Sequence, residues 1–273
     1  MRILVLDRFY QLRDLAQMDI YAAMRRKYNV FHVAPSEVLR WYKDCFIPDV
    51  LWLGIYHQDF GIDLSILPYL QGDRLTVIDQ ADNEEFLERI GYMPYMSFRN
   101  KVLLSRYLPN KAMAGAGAVI GCEARLMPWY VDASRFTARA KDIDVAFVCS
   151  MYGRRDTVAD SLRSMCGENG WTHHIGEAWG HEYADVLSRA RVLVVESGRK
   201  AFTQKYIEGV LSGCSIVGDM PVFPINNIVM RSCDLDNFNQ TERAITKALR
   251  TGPPDNAHII AEYCDPDKLK IPF

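Results

Sequence analysis

The sequence predicts an α/β protein made of two parallel-sheet units facing a cleft. Three observations carry this. Short apolar runs alternate with amphipathic stretches along the whole chain. Strands separated by helices build parallel sheets covered on both faces. Near residue 130 a proline-led polar segment interrupts the pattern, and the same scheme then starts afresh without repeating the sequence. The length of 273 residues suits one large domain or two small ones, and 49% hydrophobic residues supply a core.

In order, residues 2–7 read as a buried strand and 14–28 as a helix with Leu15, Met18, Tyr21 or Ala22, and Arg25 on successive turns. Residues 29–34 form a second strand, and Ser36 can cap a helix over 37–44. Strands follow at 49–55 and 75–79, with a helix at 83–90 between Asn83 and Gly91. The basic stretch 101–111 reads as a solvated helix face, and 118–122 as a short strand. The first domain spans 1–130 and a linker spans 131–142. The second, 143–273, holds strands at 144–149, 172–175, 191–196 and 215–218. Its helices lie near 155–165, 182–190, 202–211 and 239–250, the last one packing back on the first domain.

Composition excludes several classes. Lys plus Arg total 32 against 34 Asp plus Glu, so the net charge of −2 does not suit a general nucleic-acid coat. No run approaches the roughly 18 apolar residues of a membrane helix. Charge at Arg2 and Asp7 comes too early for a signal peptide, so a cytoplasmic protein is expected. The seven cysteines have no Cys-x-x-Cys spacing and read as reduced, buried thiols. His173, His174 and His181 lack the company a metal site needs, and no metal is expected. Basic residues interleave with aromatics over 89–111, which keeps nucleic acid open as a partner without favouring it over a solvated face with core aromatics.

Two segments suit chemistry on an anion. In the first, an apolar strand ends at Cys149-Ser150, Gly153 turns the chain, and a helix opens with Arg154-Arg155. Free N–H groups and the positive dipole end gather there, so two arginines are unrewarded without an anion. Guanidinium forks match phosphate oxygens, and Gly153 lets backbone approach. In the second, Lys205 and Glu208 lie at i and i+3 on one helix face. They read equally as a phosphate and ribose pair or as a surface ion pair.

These segments resemble the donor-binding half of GT-B glycosyltransferases, closest to the group-1, CgeB-like branch. The resemblance rests on Ser150-Met151-Tyr152-Gly153-Arg154-Arg155, on Lys205-Tyr206-Ile207-Glu208 with Gly213, and on Glu182–Ala190. It rests also on the linker Pro128-Trp129-Tyr130-Val131-Asp132-Ala133-Ser134-Arg135-Phe136. It covers about 128–222 well, and the first domain only by architecture. It implies a compact GT-B fold of two Rossmann-like domains and transfer of a sugar from a nucleotide-diphosphate donor, UDP first among them. The acceptor is a hydroxyl compound such as a glycan or a modified DNA base. Ser150, Gly153, Arg154, Arg155 and Lys205 then face the diphosphate, and Glu208, Arg199 and Lys200 the ribose and sugar. The branch's first glutamate, eight residues before Glu208, is replaced by Lys200. No cofactor is implied, and cationic side chains with a helix dipole take a metal's place at the diphosphate. In the first domain His57, Asp59 and Asp82 are the candidates for a base on the acceptor hydroxyl. A nucleotide-sugar epimerase or phosphorylase, and a non-catalytic nucleotide-sugar binding module, remain as alternatives.

Overall fold

The computed structural model describes residues 1–6, 15–34, 37–38, 47–54, 74–79, 93–105, 111–126, 130–196, 203–220, 228–269 and 271. The chain divides into two units, Met1–Tyr130 with a C-terminal return beginning at Leu269, and Val131–Lys268. Residues 131–142 therefore belong to the second unit. They open with a 3-10 turn, Ala133–Arg135, capped by the Asp132 carboxylate, which accepts from the Ser134 N–H at 3.0 Å.

The first unit is a six-stranded sheet in the order β2-β1-β3-β4-β5-β6, parallel throughout. The strands are β1 Arg2–Leu6, β2 Asn29–Val33, β3 Val50–Gly54, β4 Leu75–Asp79, β5 Lys101–Ser105 and β6 Glu123–Leu126. Helix α1, Leu15–Arg25, connects β1 to β2; α2, Met93–Met96, precedes β5; α3, Lys111–Ile120, joins β5 to β6. β1 and β3 read as unbroken apolar runs because both of their faces are covered. Alternate residues feed two cores. Leu4, Leu6, Leu51, Leu53, Ile78 and Leu103 lie on one face. Ile3, Val5, Trp52, Val77 and Leu104 lie on the other, where Leu269 and Ile271 pack as the chain returns. That return is made by the terminal segment; the last helix stays with the second unit.

Two expectations are corrected here. The apolar run at 118–122 is not a strand: its first part is the last turn of α3, and the strand follows at Glu123–Leu126. Alanine and glycine dominate α3, so its helical face carries little periodic signal. Lys101–Ser105 is a strand rather than a helix face, because Val102, Leu103 and Leu104 are all buried between the two cores. Tyr95 and Phe98 are core residues, and the Lys101 ammonium donates to the Met96 and Phe98 carbonyls at 3.0 and 2.8 Å. Arg89, Tyr92, Arg106 and Tyr107, and the helices expected at 37–44 and 83–90 in all or most of their length, lie outside the described residues.

The second unit is a five-stranded parallel sheet, β11-β10-β9-β7-β8. Its strands are β7 Ile143–Val148, β8 His173–Gly176, β9 Ala190–Val195, β10 Ser215–Gly218 and β11 Arg231–Ser232. Helices α4 Arg154–Asn169, α5 Gly180–Arg189, α6 Lys205–Leu211, α7 Phe238–Thr251 and α8 Ala257–Tyr263 connect or follow them. Val145, Phe147, Val192, Val194 and Val217 pack against Val158, Leu162 and Met165 of α4 and Ile245 and Ala248 of α7. On the other face α6 lies directly on the sheet. A Cβ at Gly209 would run into Ile216 Cδ1 and sit 2.8 Å from Leu193 Cδ2, so a side chain there would force those two core side chains to shift. Among the described residues no helix is long and apolar enough to cross a membrane.

Candidate functional site

Arg154 and Arg155, which follow β7, and Lys205, which follows β9, meet at one edge of the second sheet, where Glu196 and Asp219 also lie at the ends of β9 and β10. Ligands of open α/β sheets gather at such carboxyl edges. β7 ends at Val148; residues 149–152 follow; Gly153, at φ +59°, then sets the N-cap of α4 without a side-chain hydrogen bond. Arg154 and Arg155 start the helix and turn their side chains back to the strand ends.

Arg154 is held on every nitrogen. Its Nη1 donates to Asp219 Oδ2 at 2.7 Å and to Glu196 Oε1 at 3.4 Å. Nε donates to both oxygens of Asp236 at 3.1 Å. Nη2 stands 3.1 Å from Asp236 Oδ2 and 3.5 Å from Asp219 Oδ1. The hydrogen bonds to Asp219, then to Asp236, push its pKa further up. Arg155 donates from Nε to Glu196 Oε2 at 2.9 Å and from Nη1 to the Ser150 carbonyl at 3.4 Å. Its guanidinium carbon lies 4.6 Å from the centre of the Tyr152 ring. Burial opposes the Arg155 charge, but the Glu196 and Tyr152 contacts outweigh it and its pKa rises.

Glu196 is the first residue beyond β9, and its side chain is only 3% exposed. Asp219 follows β10 in the same way, with its carbonyl accepting from the Tyr206 hydroxyl at 2.8 Å. The anion that a doubly arginine-headed helix calls for is thus supplied by the protein itself. This corrects the picture of unpaired cations, since Glu196, Asp219 and Asp236 already meet both guanidiniums. Asp234 completes the group at 3.9 Å from Arg154. The signals were in the sequence, because Glu196 and Asp219 are charges set straight after buried strands.

Lys205 heads α6 and donates from Nζ to the Val148 carbonyl at 2.6 Å. Burial pushes its pKa below the ordinary lysine value. That bond ties the part-buried Lys205 to the end of β7, next to the segment whose Ser150 carbonyl Arg155 contacts. Glu208, one turn on, is buried and accepts from the Tyr183 hydroxyl at 2.6 Å. Burial first, then the Glu208 charge, pushes Tyr183 well above an ordinary phenol. The surface ion-pair reading of Lys205 and Glu208 is thereby excluded. Tyr183, Glu196, Asp219 and Asp236 had no role in the sequence-based assignment.

The remaining expected residues divide simply. The Ser150 carbonyl and Gly153 backbone lie in the segment the arginines pack against. His57, Asp59, Asp82, Arg199 and Lys200 lie outside the described residues. The sequence holds three Asp-x-Asp triplets, Asp142-Ile143-Asp144, Asp234-Leu235-Asp236 and Asp265-Pro266-Asp267, and the carboxylates of the second face Arg154. Among the described residues no group of three or more His, Cys, Asp or Glu side chains is arranged to hold a metal ion.

No family model matches the chain, and no curated protein does. Solved structures do resemble it. Sucrose-phosphate synthase from Thermosynechococcus elongatus superposes with a TM-score of 0.55 at 11% identity, over 92% of this chain and 90% of that one. AviGT4, a glycosyltransferase involved in avilamycin A biosynthesis, superposes with a TM-score of 0.57 at 12% identity, over 97% and 93% respectively. At these identities the likeness establishes the fold, two parallel-sheet α/β units consistent with the GT-B glycosyltransferase fold.

Proposed function

We propose that the protein is a glycosyltransferase that moves a sugar from a nucleotide-diphosphate donor, a uridine diphosphate sugar first, to an acceptor hydroxyl. The observation that carries this is the convergence of Arg154, Arg155 and Lys205 on one carboxyl edge of a sheet in this fold. Arg155 is the anion contact of choice. Its Nε and Nη1 are engaged with Glu196 and Ser150, and Nη2, which has no hydrogen-bond partner among the described residues, is assigned to a phosphate oxygen. The N–H groups of Arg155 and Asp156 in the first turn of α4 donate to the Tyr152 and Gly153 carbonyls, both at 3.2 Å, so the side chain rather than the helix start carries the anion contact.

Charge on the leaving diphosphate grows as the glycosidic bond breaks. A cation fixed by Glu196 and the Tyr152 ring is prearranged for that charge and lowers the barrier without reorganising. Lys205 sets the 149–152 segment through the Val148 carbonyl and adds positive potential behind it. Glu208, oriented by Tyr183, is assigned to donor hydroxyls, together with Arg199 and Lys200. The first unit is assigned the acceptor, a glycan or a modified base, and His57, Asp59 or Asp82 the base that takes the acceptor proton. The reaction is proposed to run without a metal at the diphosphate.

A thermal-shift screen with nucleotides and nucleotide sugars tests the reading. A bound donor at a hundred times its dissociation constant stabilises by about 2.7 kcal/mol. Donor turnover with an acceptor, releasing the nucleoside diphosphate and a glycosylated product, separates transfer from epimerisation, which leaves the acceptor unmodified, and from simple binding. A screen in which no nucleotide shifts the melting temperature overturns it.

A further inference from the structure

Arg154 and Arg155 are adjacent in sequence yet stand in different states. Arg155 keeps a nitrogen for a ligand, whereas Nε, Nη1 and Nη2 of Arg154 all face carboxylate oxygens within 3.5 Å. The partners of Arg154 are of two kinds. Glu196 and Asp219 sit at strand ends with side chains 3% and 15% exposed. Asp236 sits in the turn before α7, and its side chain is 60% exposed. The inner pair is held at the buried strand ends, with Glu196 shared between Arg154 and Arg155; the outer carboxylate can rotate into water at little cost.

We propose that Asp236 is a built-in competitor for the anion that Arg154 binds. Its carboxylate occupies the outer side of the guanidinium, where a phosphate would dock, and a ligand gains Arg154 only by displacing it. The turn is built to present that carboxylate. Leu235 is buried in the core shared by α4 and α7. The Asp236 N–H donates to Asp234 Oδ1 at 3.1 Å. The Asn237 side chain caps α7 by accepting from the Gln240 N–H at 3.1 Å. The backbone is pinned on both sides of Asp236, so displacement is a side-chain rotation and not a loop movement. Asp236 thereby sets anion affinity, raising the ligand concentration the site needs and favouring a ligand carrying two or more negative charges over a singly charged one.

The inference rests on the diphosphate reading above, and its test keeps the two apart. Inorganic pyrophosphate and uridine diphosphate are titrated calorimetrically, at fixed ionic strength, into the wild-type protein, Asp236→Asn and Asp160→Asn. Asp160 is an exposed residue of α4 paired with Arg163, and it controls for a mere change in net charge. Asp236→Asn is expected to bind both probes roughly fivefold more tightly, the worth of one partly exposed ion pair. Asp160→Asn is expected to bind like wild type, and Asp236→Asn is expected to add nothing in an Arg154→Ala background. Asp236→Ser repeats the measurement should the asparagine disturb the turn. Wild-type binding that is unchanged or weakened by both Asp236 substitutions overturns the competitor alone. If folded wild type and folded variants all ignore both probes, the diphosphate reading falls and the competitor with it.

Discussion

Arg155 Nε lies 2.9 Å from Glu196 Oε2, in a pair whose side chains are 19% and 3% exposed. The two residues are 41 positions apart, so this contact ties the first turn of α4 to the end of β9. Glu196 also accepts from Arg154, and one buried carboxylate orients both arginines. Glu196→Ala leaves one half-buried guanidinium without its anion and weakens the hold on the other. Loss of about 2 kcal/mol of stability is expected, measured by urea unfolding, with Glu196→Gln losing less because it still accepts a hydrogen bond. A Glu196→Ala protein as stable as wild type would show that the pair contributes nothing net.

The packing of α6 makes a second prediction. Gly209→Ala places a methyl group against Ile216 Cδ1 and Leu193 Cδ2, both inside the core. Overpacking of this size costs about 1–3 kcal/mol. Ile216→Val removes the closest clashing atom, so the double variant should recover part of the loss. Independent, additive effects of the two substitutions in denaturant unfolding would contradict the close approach.

Legibility differed between the two kinds of feature. β1, β3, β7 and β9 were readable because a strand buried on both faces leaves a continuous apolar run. Arg154, Arg155, Lys205 and Glu208 were readable because their spacing along one helix start or one helix face is local. Two secondary-structure errors share a cause, since β5 is flanked by basic residues at helical spacing and α3 ends in an apolar run of strand-like length. Tertiary burial decided both. The roles of Glu196, Asp219 and Asp236 were hidden because their distances to Arg154 along the chain are 42, 65 and 82 residues. Only the return of each strand to the same edge makes them neighbours.

Alkaline pH should destabilise the second unit through its buried thiols. Burial pushes Cys166 from 9.0 up to about 11 and Cys214 from 9.0 up to about 12. The unfolded chain then gives up thiol protons that the folded chain keeps, so the unfolded state binds fewer protons and stability falls as pH rises. The contribution is fully present below pH 9 and is lost progressively through about 11 to 12. Cys214 Sγ donates to the Leu187 and Ala190 carbonyls at 3.3 Å, which Cys214→Ala abolishes. That variant should be less stable at neutral pH yet show a shallower decline above pH 9. A decline of unchanged steepness, followed by urea unfolding at a series of pH values, would remove Cys214 from the account.

Tyr183 and Glu208 separate a positioning role from a purely structural one. The hydroxyl donates at 2.6 Å to a carboxylate that is 5% exposed, so Tyr183→Phe leaves a buried charge short of a donor. A cost of about 1–3 kcal/mol in unfolding is expected. If Glu208 meets donor hydroxyls, its orientation matters to the ligand as well. Tyr183→Phe should then weaken binding of uridine diphosphate, whose ribose is intact, while leaving inorganic pyrophosphate unaffected. Arg155→Ala should weaken both, by roughly tenfold or more, as expected for loss of a charged hydrogen-bond donor. Calorimetry on the two variants with the two probes gives four numbers. Equal losses for both probes in Tyr183→Phe would mean that Tyr183 and Glu208 only support the fold of α5 and α6. Unchanged affinities in Arg155→Ala would place the anion elsewhere on the molecule.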